Sequence, residues 1–392
     1  MGLELPVYLD NNSTTVVDPR VVEAMLPVFQ KHYGNPASAH RTGWFADELV
    51  KVARGDVASL IQCGAEEIIF TGSATESNNL AILGFVRAKR KEDPGRRLHV
   101  ISVVTEHRSV LDPLKSLEEE GVSVTLLPVF ADGTLLAKDI ETAIRPDTVL
   151  ITIMLANNEI GAIHPVKEIG KIAARRKIVL HCDATQALGK MAVNVNELGA
   201  DLISLSAHKI YGPKGIGALY IRQASMGAIL TPLLLGGGHE KGYRAGTLNV
   251  PGIVGFGAAA KIVHKERSKD KVHMTDQTRA LYNELKRAFP MMLLNGPQIE
   301  NRLVGNLNLA FPGLESVKFL SEVAGKLSVS VGSACQSQSS TPSYVLQALG
   351  LDAARQRASI RIGVGRFTTS EEIQFAAKTI IEAVTKLSKS YA

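Results

Sequence analysis

Leu202-Ile203-Ser204-Leu205-Ser206-Ala207-His208-Lys209, followed by Ile210-Tyr211-Gly212-Pro213-Lys214-Gly215, is an apolar stretch that stops abruptly in a polar cluster and a Gly-Pro turn. A short run of this kind fits a strand buried on both faces, as strands of parallel sheets are. Outward from it, further β-rich stretches at 67–71, 98–104, 123–129, 148–154, 178–182 and 218–221 alternate with helical patterns. That alternation defines βαβ units, hence an α/β fold with a mainly parallel sheet and helices on both faces. Ahead of it, Asp18-Pro19 predicts a helix start, with Val21, Val22, Met25, Leu26 and Phe29 on one face. After Gly236-Gly237-Gly238 the pattern changes. Helical stretches at 252–267 and 273–288 lead to a strand at 303–309, a helix at 315–326, short strands at 328–331 and 358–362, and a last helix from about 370. The expected organisation is a large domain over residues 15–260 and a smaller α+β C-terminal domain formed by 261–392 with 1–14.

The chain has 392 residues, 45% of them hydrophobic and 21% charged, which excludes a largely disordered protein and supplies apolar side chains for two cores. Lys and Arg number 44 against 38 Asp and Glu, a net charge of +6. The densest basic groups, Lys89-Arg90-Lys91 and Arg175-Arg176-Lys177, sit in or beside helical patterns without interleaved aromatic residues. Solvated helix faces account for them, and nucleic acid is not an expected partner. Met1-Gly2-Leu3-Glu4-Leu5-Pro6 has no basic leader, and no apolar run approaches the roughly 18 residues that cross a bilayer. Three cysteines, Cys63, Cys182 and Cys335, have no paired spacing, which argues against a disulfide framework and against a self-contained zinc site. A soluble protein of the cytoplasm, with no membrane partner and no metal, is the expectation.

Several strands end in residues that carry chemistry. Lys209 places an amine at the carboxyl edge of the sheet, where open α/β sheets bind ligands, so it is a candidate Schiff-base lysine; a solvent-facing loop lysine is the competing reading. Val179-Leu180-His181-Cys182-Asp183 ends in an acid that can hold a ring nitrogen protonated or, more plainly, cap the next helix. Phe70-Thr71-Gly72-Ser73-Ala74-Thr75-Glu76-Ser77 runs from strand through a small-residue turn into a helix, aiming free amides at one point as a phosphate cup does, although an ordinary capped helix reads the same. Glu106-His107 offers an imidazole for stacking and proton transfer, or a structural histidine. Ala156-Asn157-Asn158-Glu159 closes another strand with amides, or is a plain turn. Cys335 stands in Gly332-Ser333-Ala334-Cys335-Gln336-Ser337-Gln338-Ser339-Ser340, a run with no apolar packing to do, which predicts a mobile, exposed loop and a usable thiolate. Arg361 can clamp a carboxylate through two parallel hydrogen bonds; Arg366 is its rival, or both face solvent.

Taken in order, these segments, with Tyr8-Leu9-Asp10-Asn11-Asn12, Gly34-Asn35-Pro36, Asp183-Ala184-Thr185-Gln186 and Arg244-Ala245-Gly246-Thr247, resemble the NifS/IscS-like cysteine desulfurases of the class V aminotransferase family. The resemblance implies the fold type I of pyridoxal 5′-phosphate (PLP) enzymes, with a mainly parallel seven-stranded sheet in the large domain, and a small domain carrying the cysteine loop. It implies that Lys209 bonds the cofactor covalently, that Asp183 pairs with the ring nitrogen, that Gln186 bonds the ring hydroxyl and that His107 stacks on the ring. Ala74, Thr75, Ser206 and His208 would hold the phosphate, with Thr247 from the second subunit of a homodimer. Asn158, also beside the cofactor, and Arg361 would hold the carboxylate of L-cysteine, while Cys335 would take its sulfur and pass it to an iron–sulfur scaffold or another acceptor protein. Two positions depart from the family pattern: Gly72-Ser73 reverses the usual Ser-Gly order, and Gly363 stands where many relatives have Ser. Selenocysteine lyase shares the skeleton and is the alternative enzyme. A PLP-binding assembly scaffold without catalysis is the alternative from another class, against which Lys209, Asp183 and Cys335 speak together.

Overall fold

The computed structural model describes residues 3–223, 230–331 and 343–389. Strand β1 (Val7–Tyr8) and helices α1 (Pro19–Gln30) and α2 (Arg41–Ile61) precede the main sheet. Asp18 caps α1 by accepting from the Arg20 amide. The sheet contains β2 (Ile68–Thr71), β3 (His99–Val103), β4 (Ser123–Leu127), β5 (Thr148–Met154), β6 (Val179–Asp183), β7 (Leu202–Ser206) and β8 (Gly217–Ile221) in the order β2-β8-β7-β6-β5-β3-β4. All of its pairings are parallel except those of β8, which runs antiparallel to both β7 and β2.

Side chains alternate between two apolar layers, as the pleat requires. Phe70, Ile101, Ile153, Leu180, Cys182 and Leu205 join one buried cluster with α2 and the helix near residue 256. Ile69, Val100, Leu150, Leu202 and Leu219 join the other, beneath residues 80–86 and 110–117. The second face also carries a polar seam, in which His181 bonds Thr152 Oγ1 at 2.7 Å and Ser204 Oγ at 2.9 Å. Because both histidine nitrogens have partners, the ring is satisfied while fully buried, and burial holds its pKa down at about 4.

Among the helices that matter for the site, α3 (Ala74–Asn79) and α4 (Arg108–Glu119) follow β2 and β3, and α5 (Val166–Arg176) follows β5. Residues 252–267 and 273–288, expected as two helices, form one helix of 39 residues, α6 (Val250–Ala288). The charged stretch 265–272 breaks the apolar period but contains neither Gly nor Pro, so nothing breaks the backbone hydrogen bonding. Ile253, Phe256 and Val263 of α6 pack on the main-sheet core, whereas Leu281 and Leu285 pack on a second core. The boundary expected at residue 260 falls inside this helix.

The second core lies under a three-stranded antiparallel sheet, β12 (Ser359–Gly363), β10 (Asn306–Ala310) and β9 (Leu293–Leu294), and the last helix, α7 (Ser370–Lys389). Strand β1 pairs with β11 (Leu327–Ser328), and the chain after it runs along β12: Gly363 donates to Leu9 O at 2.7 Å and accepts from the Asn11 amide at 3.2 Å. Glycine is required there, since a Cβ on Gly363 would lie 2.8 Å from the Asn11 and Asn12 nitrogens. That close approach carries residues 10–13 to the carboxyl edge of the main sheet.

Candidate active site

At this edge the structure encloses a cavity of about 220 Å³. Its walls include Ala74, Thr75, His107, Asn158, Asp183, Gln186, His208, Lys209 and Arg361, brought together from β2, β3, β5, β6, β7 and β12 ends, and also Asn12, Ser13, Ser109 and Thr185. Ser206 is buried on β7 but is not among the lining residues. Thr247 is exposed and outside the cavity of this chain. Cys335 lies outside the described residues; the segments on either side of it are tied to the site, Ser330 by two backbone hydrogen bonds to Arg361 and Ser343 by its hydroxyl to Glu159 Oε2 at 2.5 Å.

Asp183 ends β6, where it is buried and held from two sides: Asn78 Nδ2 donates to Oδ2 at 2.8 Å and the Thr185 amide to Oδ1 at 2.9 Å. Neither donor is a cation, and Asp183 forms no ion pair among the described residues. A buried carboxylate so held can pair with one positive group brought to it. Beside it, His107 caps α4; its Nδ1 accepts from the Ser109 amide at 3.1 Å and lies 2.8 Å from Ser109 Oγ. Burial lowers the His107 pKa, leaving a neutral ring for the cavity wall.

Lys209 follows β7 in a short turn, and the N-terminal segment runs along it. Thr15 donates its amide to His208 O at 3.1 Å, and the Tyr211 amide donates to Thr15 Oγ1 at 3.0 Å. Lys209 Nζ donates to Asn12 O at 2.7 Å and Ser13 O at 2.6 Å, with no carboxylate partner among the described residues. Burial pushes its pKa down to about 7, and repulsion from Lys190 and Arg361 acts in the same direction, against the weaker pull of Asp10 and Asp183. The amine is therefore available in its neutral, nucleophilic form near neutral pH.

The turn after β2 is shaped by its side chains. Ser73 caps α3 by accepting from the Glu76 amide at 3.2 Å, and Glu76 Oε2 accepts from the Gly72 amide at 2.7 Å. A Cβ on Gly72 would lie 2.8 Å from that carboxylate, so a larger residue there would displace the Glu76 side chain from the turn. Ala74 and Thr75 begin α3 and present amides that no preceding helical carbonyl reaches. His208, opposite, bonds Thr14 Oγ1 at 3.0 Å, and burial lowers its pKa to about 4.

Arg361 is 1% exposed. It donates to Asp10 Oδ1 at 2.9 Å and Ser13 Oγ at 2.5 Å through one terminal nitrogen, while its Nε has no partner. Arg366 takes no part: it pairs with Asp18 at 3.2 Å and Asp270 at 2.6 Å and stacks over the Tyr211 ring. Asp10, Ser13, Asn78 and Lys190 belong to the site's structure but carried no role in the sequence reading. Nothing local marks their roles, because the partners they meet lie up to 351 residues away.

The fold and this cavity define a member of a PLP-dependent α/β class, and the chain belongs to the aminotransferase class-V family, whose model matches residues 7–375. Within it the chain is similar to the cysteine desulfurase IscS of Anaeromyxobacter dehalogenans, 46% identical over 98% of this chain and 94% of the relative. A solved NifS-like protein superposes with a TM-score of 0.89 at 35% identity, covering 98% of this chain and 100% of that one. A structure described as SspA in complex with cysteine superposes with a TM-score of 0.81 at 36% identity, covering 92% of this chain and 99% of that one.

Proposed function

We propose that the protein is a cysteine desulfurase that takes sulfur from L-cysteine, releases L-alanine and carries the sulfur on Cys335 as a persulfide for an acceptor protein, an iron–sulfur scaffold or one serving another thio-cofactor, in the cytoplasm. The observation that supports this best is the presence in one cavity of a half-buried amine, Lys209, with no carboxylate partner among the described residues, and a buried carboxylate, Asp183, with no cation partner among them. Buried polar atoms at and beside the cavity fit a bound PLP and substrate: Ser206 Oγ, Thr185 Oγ1 and Arg361 Nε have no hydrogen-bond partner among the described residues. The name of the SspA–cysteine structure speaks for the same substrate.

When bound, PLP supplies an aldehyde for covalent attachment and a protonated ring that accepts the electron pair released at the substrate's α-carbon. Lys209 Nζ would hold the aldehyde and then move the α-proton; Asp183, fixed by Asn78 and the Thr185 amide, would keep the ring nitrogen charged. His107 would form one side of the ring slot, and Gln186 would face the ring hydroxyl. Ala74, Thr75, Ser206 and His208 would hold the phosphate, with Thr247 from a second copy of the chain in a homodimer. Arg361 and Asn158 would take the substrate carboxylate, Arg361 through its unpartnered Nε edge. Cys335 Sγ, as thiolate, would bond to the substrate sulfur; the bond from that sulfur to Cβ breaks, and the electron pair stays with the carbon and is protonated to give alanine.

The test is turnover of L-cysteine by the PLP-loaded protein with a thiol reductant. Equal amounts of alanine and sulfide are expected, and Cys335→Ala should keep the cofactor's colour while sulfide release stops. Unimpaired release in that variant would overturn the role given to Cys335.

A further inference from the structure

Lys190 is a buried lysine that the proposed reaction does not use. It lies in the turn after β6, 6% exposed, with no ion pair among the described residues. Its Nζ donates to Asn12 Oδ1 at 3.0 Å and Gln186 Oε1 at 3.2 Å. Gln186 Nε2 in turn donates to Asn12 O at 2.8 Å, the same carbonyl that accepts Lys209 Nζ at 2.7 Å. Burial, and then the nearby Arg361, push the Lys190 pKa down to about 7; below that pH it is an ammonium that can only donate, so both amides turn their oxygens toward it. Gln186, which lines the cavity, is left with one N–H lacking an acceptor among the described residues. Asn12 links the two lysines: its side chain is bonded to one and its carbonyl to the other.

We propose that Lys190 is a positioning residue that fixes the Gln186 and Asn12 amides around Lys209 and, as a second cation beside it, disfavours the protonated form of the Lys209 nitrogen. The inference rests on the reading of Lys209 as the cofactor lysine. The charged and titratable groups facing Lys209 are Lys190, Arg361, Asp10 and Asp183, with His107 and His208 close enough for their own protonation to respond to it. Asp10 is already paired with Arg361. Asp183 is held by neutral donors across the cavity. Lys190 is therefore the one member of the group whose removal takes a positive charge from Lys209 without disturbing the acid, the carboxylate clamp or the phosphate end.

The experiment is a pH titration of the visible absorbance of the PLP-loaded protein and its Lys190→Met and Lys190→Gln variants, followed without substrate. The long-wavelength band of a protonated Schiff base on Lys209 should persist to higher pH in Lys190→Met, with the midpoint raised by roughly one unit, a tenfold change in proton affinity. Lys190→Gln is neutral but keeps a hydrogen-bonding group in the same nest, so it covers the case in which methionine prevents folding, and it should shift in the same direction. Lys190→Arg, keeping charge and donors, should restore the original midpoint. Coincident titrations in the wild type and both neutral variants would overturn the inference alone; absence of any cofactor band in the wild type, or its survival in Lys209→Ala, would overturn the reading it rests on.

Discussion

The two walls of the cavity are built differently. The wall formed by Asp183, His107, Ala74 and Thr75 comes from the ends of β6, β3 and β2 of one sheet, each positioned by its own βα turn. The wall formed by Asn12, Ser13, Lys209 and Arg361, with Lys190 behind it, is assembled from segments far apart in the chain: Lys209 reaches Asn12 across 197 residues, and Arg361 reaches Asp10 across 351. The first wall holds a carboxylate with neutral donors, and the second gathers three basic side chains, Lys190, Lys209 and Arg361, near one carboxylate, Asp10. A parallel sheet can place a group by backbone register alone; lowering the proton affinity of the Lys209 amine needs neighbours supplied from elsewhere.

Lys209→Ala tests the meeting point of the walls and should have the largest effect, a loss of activity on the order of 10³-fold or more together with the covalent cofactor band. Asp183→Asn breaks the sheet-edge wall. It keeps the shape but removes the charge that would hold the ring nitrogen protonated, so kcat should fall on the order of 10²-fold with a smaller change in KM, measured by alanine formation. Arg361→Lys breaks the assembled wall. It loses the planar fork while keeping charge, and KM for L-cysteine should rise about ten- to a hundredfold with kcat less affected. Gly363→Ser probes the close approach behind that wall. With Cβ 2.8 Å from two backbone nitrogens the N-terminal segment must shift, which should cost about 1–3 kcal/mol in chemical denaturation and raise KM.

The smallest effect concerns pH. His164 and His181 are buried with pKa values near 4, below the ordinary 6.5, so the unfolded chain binds more protons than the folded one between those values. Stability should therefore fall as pH drops from about 6.5 to 4, by up to about 1.4 kcal/mol per pH unit for each histidine. Denaturant midpoints that stay flat across that window would contradict this.

The same contrast decides what the sequence could show. Strands buried on both faces read as apolar runs with polar ends, and the edge strand β4, only partly buried, still reads as a β-rich stretch, so the seven strands of the sheet were legible to within a residue or two, and so were Lys209, Asp183 and the β2 turn as candidates. The direction of β8 was not, because an antiparallel strand buried among parallel ones has the same composition. Nor was the continuity of α6 legible, since its charged middle has no apolar stripe; there Asp270 is spent on an ion pair with Arg366 instead. Asn12, Asp10 and Lys190 gave no local signal. Their significance lies in partners that only the folded chain brings to them.

The central claim is that Lys209, and not the more deeply buried Lys190 linked to it through Asn12, is the amine that carries PLP. Reducing the loaded protein with borohydride and mapping the pyridoxyl group by peptide mass spectrometry tests it directly. The account predicts the label on the peptide containing Lys209 and none on that containing Lys190; a label on Lys190, or on neither, would contradict it.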